Sequence, residues 1–458
     1  MSDNNLQVEQ VKKVYFIGIG GIGMSALARY FLFRGAAVSG YDRTPSILTQ
    51  TLTAEGMLIH YEDNPLLCPA DVDLVVYTPA IPASHQELQW YRTHSSIPVL
   101  KRSEVLQLLT DQHYTIAIAG SHGKTSVTSM TAHILHHSGY GCTAFVGGIM
   151  TNYNANFVCS NTDVIVVEAD EFDRSFLRLN PNVAVITAVD TDHLDIYGSQ
   201  EVIEATFLQF ATQVKEDGYL VVKSTIPILQ RLPERLYNTY HAQNSDADYC
   251  LSDVNYDDTH LWFSIQSPLG NIEHLSLPKS GLHNAENALA AIAVAQYLGV
   301  SSDKIKAAVS TFTGIKRRFE YIIRQENLVL IDDYAHHPEE IRTLLHAVRH
   351  LYPTQKVSIV FQPHLYSRTK DLYREFAAVL QTADEIILLD IYPARELPID
   401  GVTADLIFKH IDNPNKISCT KQELLSQLTD RTFEVLLTVG AGDIDTYLPA
   451  ISALLQNP

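Results

Sequence analysis

The chain has 458 residues, 46% of them hydrophobic and 19% charged, with a formal net charge of −19. This composition excludes a disordered or low-complexity polymer, and the acidic balance argues against sequence-independent nucleic-acid binding. The five cysteines (Cys68, Cys142, Cys159, Cys250, Cys419) form no CxxC pair and no apolar run approaches the ~18 residues of a membrane span, so free thiols, a cytoplasmic setting and about three domains are expected.

Val11 to Ile17 reads as a buried parallel strand. It is followed by the glycine loop Gly18-Ile19-Gly20-Gly21-Ile22-Gly23 and a helix from about Met24 to Arg34. A second strand, Val38–Tyr41, ends at Asp42, and a third, Asp71–Tyr77, is closed by Thr78-Pro79-Ala80-Ile81-Pro82. The β/α alternation predicts a doubly wound parallel sheet ending near residue 110, with Ser103–Thr110 as a connecting helix. The GxGxxG spacing with Asp42 downstream fits a diphosphate linked to a ribose. NAD, a UDP-sugar and a purely structural turn all remain compatible with it.

A second unit starts with the strand Tyr114–Ala119 and the loop Gly120-Ser121-His122-Gly123-Lys124-Thr125, which leads straight into a helix. Backbone amides and a helix N-terminus cradle phosphates, a lysine reaches the β/γ-phosphates, and a hydroxyl serves Mg²⁺. The glycine spacing is compressed relative to GxxxxGK. Val164–Val167, Val183–Thr187 and Tyr219–Lys223 are further predicted strands. Glu168 ends the first of these, where a hard carboxylate oxygen suits Mg²⁺, and Thr191-Asp192-His193-Leu194-Asp195 follows the second. Leu261–Ile265 and Glu273–Leu277 predict a small antiparallel insert turning at Gly270-Asn271. An alanine-rich helix spans Asn284–Leu298, and Asn287 in its His283-Asn284-Ala285-Glu286-Asn287 start either reads an adenine edge or caps the helix.

The third unit opens with Lys316-Arg317-Arg318-Phe319, a basic cluster that suggests phosphate contact in so acidic a chain. Its predicted strands are Val329–Ile331, Val357–Phe361, Glu385–Leu389 and Val435–Val439, with Gly440-Ala441-Gly442 after the last. Asp332-Asp333-Tyr334-Ala335-His336-His337-Pro338 and Phe361-Gln362-Pro363-His364-Leu365-Tyr366-Ser367-Arg368-Thr369 each follow a strand, where open α/β sheets bind ligands. Histidine and a forked arginine there can hold a carboxylate. The fold class expected is α/β, three doubly wound Rossmann-like domains in series, the central one of P-loop ATPase type with a small antiparallel insert. The expected boundaries are 1–110, 111–316 and 317–458.

In order, GIGGIGMSALA, GSHGKTS, EADEFDRSFL, DHLDIYG, HNAENALAA, RRFE, DDYAHHP and FQPHLYSRT resemble the muramyl ligases, ATP-dependent enzymes that add amino acids to the bacterial wall precursor, over essentially the whole chain. The histidine of GSHGKT, the DDYAHHP run and FQPH are similar to the member that joins L-alanine to the lactyl carboxylate of UDP-N-acetylmuramate. The absence of lysine from Leu194 to Val214 agrees, since later-step members carry a modified lysine there. A recycling ligase that attaches a whole tripeptide, a nicotinamide oxidoreductase and a non-enzymatic nucleotide-binding protein are the alternatives.

The resemblance implies that Gly18, Ile19, Gly20, Gly21, Ile22, Gly23, Met24, Asp42, Thr78 and Ala80 bind the UDP-sugar. It implies that Gly120, Ser121, His122, Gly123, Lys124, Thr125, Ser126, Asn287, Arg318 and Asp333 bind ATP. Thr125, Glu168 and His193 would hold Mg²⁺, and Lys124, His193, His336 and Arg368 would serve the chemistry. A monomer or weak homodimer is expected, with UDP-N-acetylmuramate and L-alanine as its partners. One position departs from the family: the arginine that many relatives carry after the FQPH histidine is Leu365 here, so Arg368, Lys370 or Arg374 must supply a cation for the amino acid's carboxylate.

Overall fold

The computed structural model describes residues 7–94, 96–171, 174–190, 197–232, 237–257, 259–278, 281–394, 396–429 and 431–456. They build three α/β sheets in two compact units: the first carries two sheets and ends at Thr313, and the second comprises the chain from Gly314 together with a short segment ending at Leu282.

The first sheet is wholly parallel. Its order is Leu58–His60, Ala37–Tyr41, Lys13–Ile17, Leu74–Tyr77, Val99–Lys101. Strands run outward on one side of Lys13–Ile17 and then on the other, so the direction reverses at its carboxyl end, where Gly18 stands. A ligand crevice opens at such a reversal. The predicted strand from Val11 begins at Lys13, because Val8–Gln10 forms a short 3₁₀ turn before it.

The second sheet has ten strands. Its parallel core places Tyr114–Ala119 between Val183–Ile186 and Val164–Ala169. These strands are rich in Val, Ile and Ala and are buried almost throughout, as a sheet covered on both faces requires. The predicted antiparallel insert is present as His260–Gln266 and Ile272–Pro278, but it is continuous with the sheet through Tyr249–Tyr256 rather than a separate piece. On the opposite edge, Thr143–Met150 and Ala155–Val158 form a hairpin. The sequence reading assigned no strand there.

That hairpin joins the two sheets of the first unit. Helix Ile22–Phe33 lies on it, with the Tyr30 and Phe145 rings 5.8 Å apart. Buried Arg29 donates to Asn156, whose amide in turn donates to Ser25 Oγ (3.0 Å), while the Arg29 guanidinium also pairs with Glu55 at 2.7 Å. Burying an arginine requires that its donors be met, and all of these are within the same unit.

The second unit has six strands in the order Glu320–Gln325, Leu328–Asp333, Val435–Val439, Val357–Phe361, Glu385–Leu389, Lys416–Cys419, with only the first pair antiparallel. The last strand in the chain, Val435–Val439, inserts at the centre, between Leu328–Asp333 and Val357–Phe361. It therefore brings the Gly440–Gly442 loop between the two ligand-edge motifs that begin after Leu328–Asp333 and Val357–Phe361.

Candidate functional sites

At the first glycine loop, Gly18 has a left-handed φ of 89°, and a Cβ there would come within 2.9 Å of Thr78 Cγ2. Thr78 and the Ala80 turn thus stand beside the loop, and Met24 and Ile19 back it from the core. Gly21 caps helix Ile22–Phe33 without any side-chain bond, which leaves the helix N-terminus able to meet an anion. Asp42 reaches the loop directly: its Oδ2 accepts from Gly20 N at 2.7 Å. Arg102, which the sequence reading passed over, lies against Gly23, and its guanidinium is 4.0 Å from Asp170. A Lys-Arg pair at a strand end in an acidic chain is the signal that could have marked it.

The second loop is shaped for phosphate. Gly120 and Gly123 have φ of 137° and 82°, and a Cβ on Gly120 would approach Thr187 Oγ1 to 2.1 Å, so only glycine fits. Ser121 N donates to Ala188 O (3.0 Å), and Ser121 Oγ meets the Asp190 amide, fixing the loop to the end of Val183–Ile186. His122 is exposed, 3.7 Å from Asp190. Helix Lys124–His137, which also carries Ser126, starts at Gly123 with no capping side chain and no acid in its first turn.

Lys124 Nζ donates to Gly120 O (2.7 Å) and to Glu171 Oε1 (2.8 Å). Glu168 accepts from Gly147 N at 2.7 Å and hydrogen-bonds the Thr125 side chain; burial raises its carboxyl, opposed by that amide, Lys124 and Thr125. A Cβ on Gly147 would fall 2.5 Å from Glu168 Oε2, so the carboxylate needs a glycine beside it. Two hard oxygen ligands beside a phosphate cradle fit Mg²⁺ chemically. His193 and the rest of Thr191–Asp195 lie outside the described residues. Among the described residues no group of three His, Cys, Asp or Glu is arranged to hold a metal.

Asn287 rests against Gly123, its Oδ1 3.1 Å from where a Cβ would stand. Its neighbour Glu286 bonds Lys223 Nζ (2.7 Å) and Ala242 N (3.1 Å), tying helix Leu282–Tyr297 to two strand ends and so holding Asn287 at the loop. Asn287 lies inside the helix and so is not its N-cap.

In the second unit, Asp333 accepts from Phe319 N (2.7 Å) and Ala335 N (2.8 Å). His336 Nδ1 lies 2.8 Å from Tyr334 O; donation to that carbonyl leaves Nε2 as an acceptor, and burial lowers the ring's pKa. The His336 and His364 rings are 6.0 Å apart. Burial, with His336 and Arg368 adding, lowers His364 to about 4. Of the three cations considered for the position opposite Leu365, Arg368 approaches His364 Nδ1 (3.5 Å), Arg374 lies over the Tyr373 ring, and Lys370 is exposed. Arg368 beside two imidazoles whose charged forms are disfavoured leaves the guanidinium as the cation able to bind a carboxylate there.

Two glycine loops at helix N-termini in one unit and a histidine–arginine strand edge in the other suit a nucleotide-dependent enzyme. Three family models match in chain order: the Mur ligase family catalytic domain over residues 13–114, the Mur ligase middle domain over 118–295, and the Mur ligase glutamate ligase domain over 317–443. The chain belongs to the Mur ligase family. It is 46% identical to the UDP-N-acetylmuramate–L-alanine ligase of Flavobacterium johnsoniae, across 99% of this chain and all of that protein, and 45% identical to that of Phocaeicola vulgatus with the same coverage. Among solved structures, the UDP-N-acetylmuramate–alanine ligase of Thermotoga maritima superposes with a TM-score of 0.82 at 29% identity, covering 97% of this chain and 99% of that one. No helix among the described residues is long and apolar enough to cross a membrane.

Proposed function

We propose that the protein joins L-alanine to the lactyl carboxylate of UDP-N-acetylmuramate, converting ATP to ADP and phosphate, in the cytoplasmic synthesis of the wall precursor. The full-length similarity to L-alanine ligases carries this reading. Gly18–Gly23 with Met24, Asp42, Thr78 and Ala80 holds the UDP group. Gly120–Ser126 and Asn287 take ATP, with Lys124 on the β/γ-phosphates, Arg318 on the γ-phosphate and Asp333 on the ribose. Thr125 and Glu168 would hold Mg²⁺, and His193 would serve a second metal. The chemistry such an ion would supply there is charge neutralisation on the phosphates.

A carboxylate is a poor electrophile. The lactyl carboxylate first attacks the γ-phosphorus, giving an acyl phosphate and ADP; the neutral amine of alanine then attacks the acyl carbon, and the tetrahedral intermediate expels phosphate. The protein's part is to position these groups and to balance charge, with Lys124 and Arg318 stabilising the transferring phosphoryl group. His336 and Arg368 orient the carboxylate and the incoming alanine.

The test is phosphate release from ATP with Mg²⁺ and UDP-N-acetylmuramate, comparing L-alanine, glycine, L-serine and the wall tripeptide. Release that requires both the UDP-sugar and L-alanine, with a product heavier by one alanyl residue, is expected. Release with the tripeptide alone would assign a recycling ligase, and none with any acceptor would leave a nucleotide-binding protein.

A further inference from the structure

The two arginines of Arg317-Arg318 are adjacent in sequence but have opposite surroundings. The Arg317 side chain is 16% exposed and its guanidinium is engaged at every nitrogen: Nε with Asp332 (3.3 Å), Nη1 with Gly442 O (2.9 Å) and Asp445 (3.2 Å), and Nη2 with Gly440 O. Its backbone is pinned as well, with N donating to Glu320 Oε2 (2.8 Å) and O accepting from Tyr334 N (2.6 Å). Arg318 is exposed and lies over the Tyr334 ring at 5.7 Å.

The backbone on either side of Arg318 is strained. Arg317 and Phe319 have left-handed φ of 60° and 52°, a region that costs a residue with a Cβ on the order of 1 kcal/mol or more. Phe319 is buried, and its amide is held by Asp333. Such a conformation persists only where its surroundings over-determine it. Here the determinants are the Arg317 fork and the Asp333 carboxylate, and the residue they leave at the exposed apex of the turn is Arg318.

We propose that Arg317 is a positioning residue for the ligation reaction: its guanidinium, locked onto the Gly440–Gly442 loop and onto Asp332 and Asp445, holds the strained turn that aims Arg318 at phosphate. This rests on the reading of Arg318 as the γ-phosphate contact. The Gly440-Ala441-Gly442 loop, to which the sequence reading gave no role, becomes the acceptor half of the clamp. Asp445 is its outer member and can be removed without touching the inner ones.

The experiment is steady-state kinetics with ATP, UDP-sugar and alanine varied in turn, beside thermal unfolding, for Arg317→Met, Arg317→Lys, Asp445→Asn and Arg318→Met. Arg317→Met is expected to lower kcat/KM for ATP at least tenfold while UDP-sugar affinity, by calorimetry, stays within twofold. Arg317→Lys should recover part of the loss, because an ammonium has three donors and no planar fork. Asp445→Asn should show a smaller loss of the same kind at unchanged Tm. If Arg318→Met cripples ATP kinetics while Arg317→Met and Asp445→Asn do not, the positioning role is wrong. A uniform loss across all three substrates that tracks Tm would likewise reduce Arg317 to a structural residue. If Arg318→Met leaves ATP kinetics unchanged, it is the phosphate reading of Arg318 that fails.

Discussion

Lys124 Nζ lies 2.8 Å from Glu171 Oε1, and the other oxygen of Glu171 is buried with no hydrogen-bond partner among the described residues. The Glu171 side chain is 4% exposed and that of Lys124 17%. The phosphate-loop lysine is thus paired with a carboxylate that has been taken out of water. Burial raises the Glu171 carboxyl and Lys124 lowers it.

Removing one partner of a buried pair leaves an uncompensated charge, a loss of roughly 3 kcal/mol or more. Lys124→Met is therefore expected to lower Tm, and the double variant Lys124→Met/Glu171→Gln to regain most of that loss without regaining activity. A single variant as stable as the parent in thermal unfolding would mean that Glu171 is not held ionised by the lysine.

The two glycine loops belong to different sheets, Gly18–Gly23 following Lys13–Ile17 and Gly120–Thr125 following Tyr114–Ala119. Lys124→Ala should abolish amide formation and leave UDP-sugar binding nearly intact. Calorimetry reads the second quantity directly, and loss of both together would contradict separate cradles.

Glu168 reaches Thr125 and Gly147 from the end of Val164–Ala169. Glu168→Ala is expected to remove Mg²⁺-dependent turnover, by two orders of magnitude or so if the metal's charge neutralisation is lost. Turnover equal to the parent's at low Mg²⁺ would take Glu168 out of the metal site.

The parallel strands were legible because each is a short apolar run buried on both faces. Tyr114–Ala119, Tyr219–Lys223, Val357–Phe361, Glu385–Leu389 and Val435–Val439 have the bounds read from the sequence. Their order was not legible, since every such run looks alike to its neighbours; nothing in Val435–Val439 says that it lies between Leu328–Asp333 and Val357–Phe361. The Thr143–Met150 hairpin was hidden by its Gly147-Gly148 interruption; at Gly147 the Glu168 carboxylate leaves no room for a Cβ. Motif glycines and the lysine were readable from spacing alone. Partners such as Glu171 for Lys124, Arg102 for Gly23 and Gly440 for Arg317 are separated by long stretches of chain and became visible only once the strands were ordered.

Glu87 stands in the first turn of helix Gln86–His94, and its side chain is fully buried. Tyr15 OH donates to Oε2 at 2.6 Å, Asn64 N to Oε1 at 3.1 Å, and His60 Nε2 is 3.6 Å away. Burial pushes the carboxyl up to about 7, with the Tyr15 and Asn64 bonds opposing and Asp63 adding. A raised carboxyl pKa means that stability is fully present below the ordinary carboxylate range and is lost as pH rises through about 7. Between pH 6 and 8 the first sheet should weaken by about 1 kcal/mol on this account. Glu87→Gln preserves the shape and cannot ionise, so it should flatten that slope. Hydrogen exchange of the Lys13–Ile17 and Leu74–Tyr77 amides isolates this sheet from the rest of the chain. Equal slopes in parent and variant would show that Glu87 does not titrate in that window.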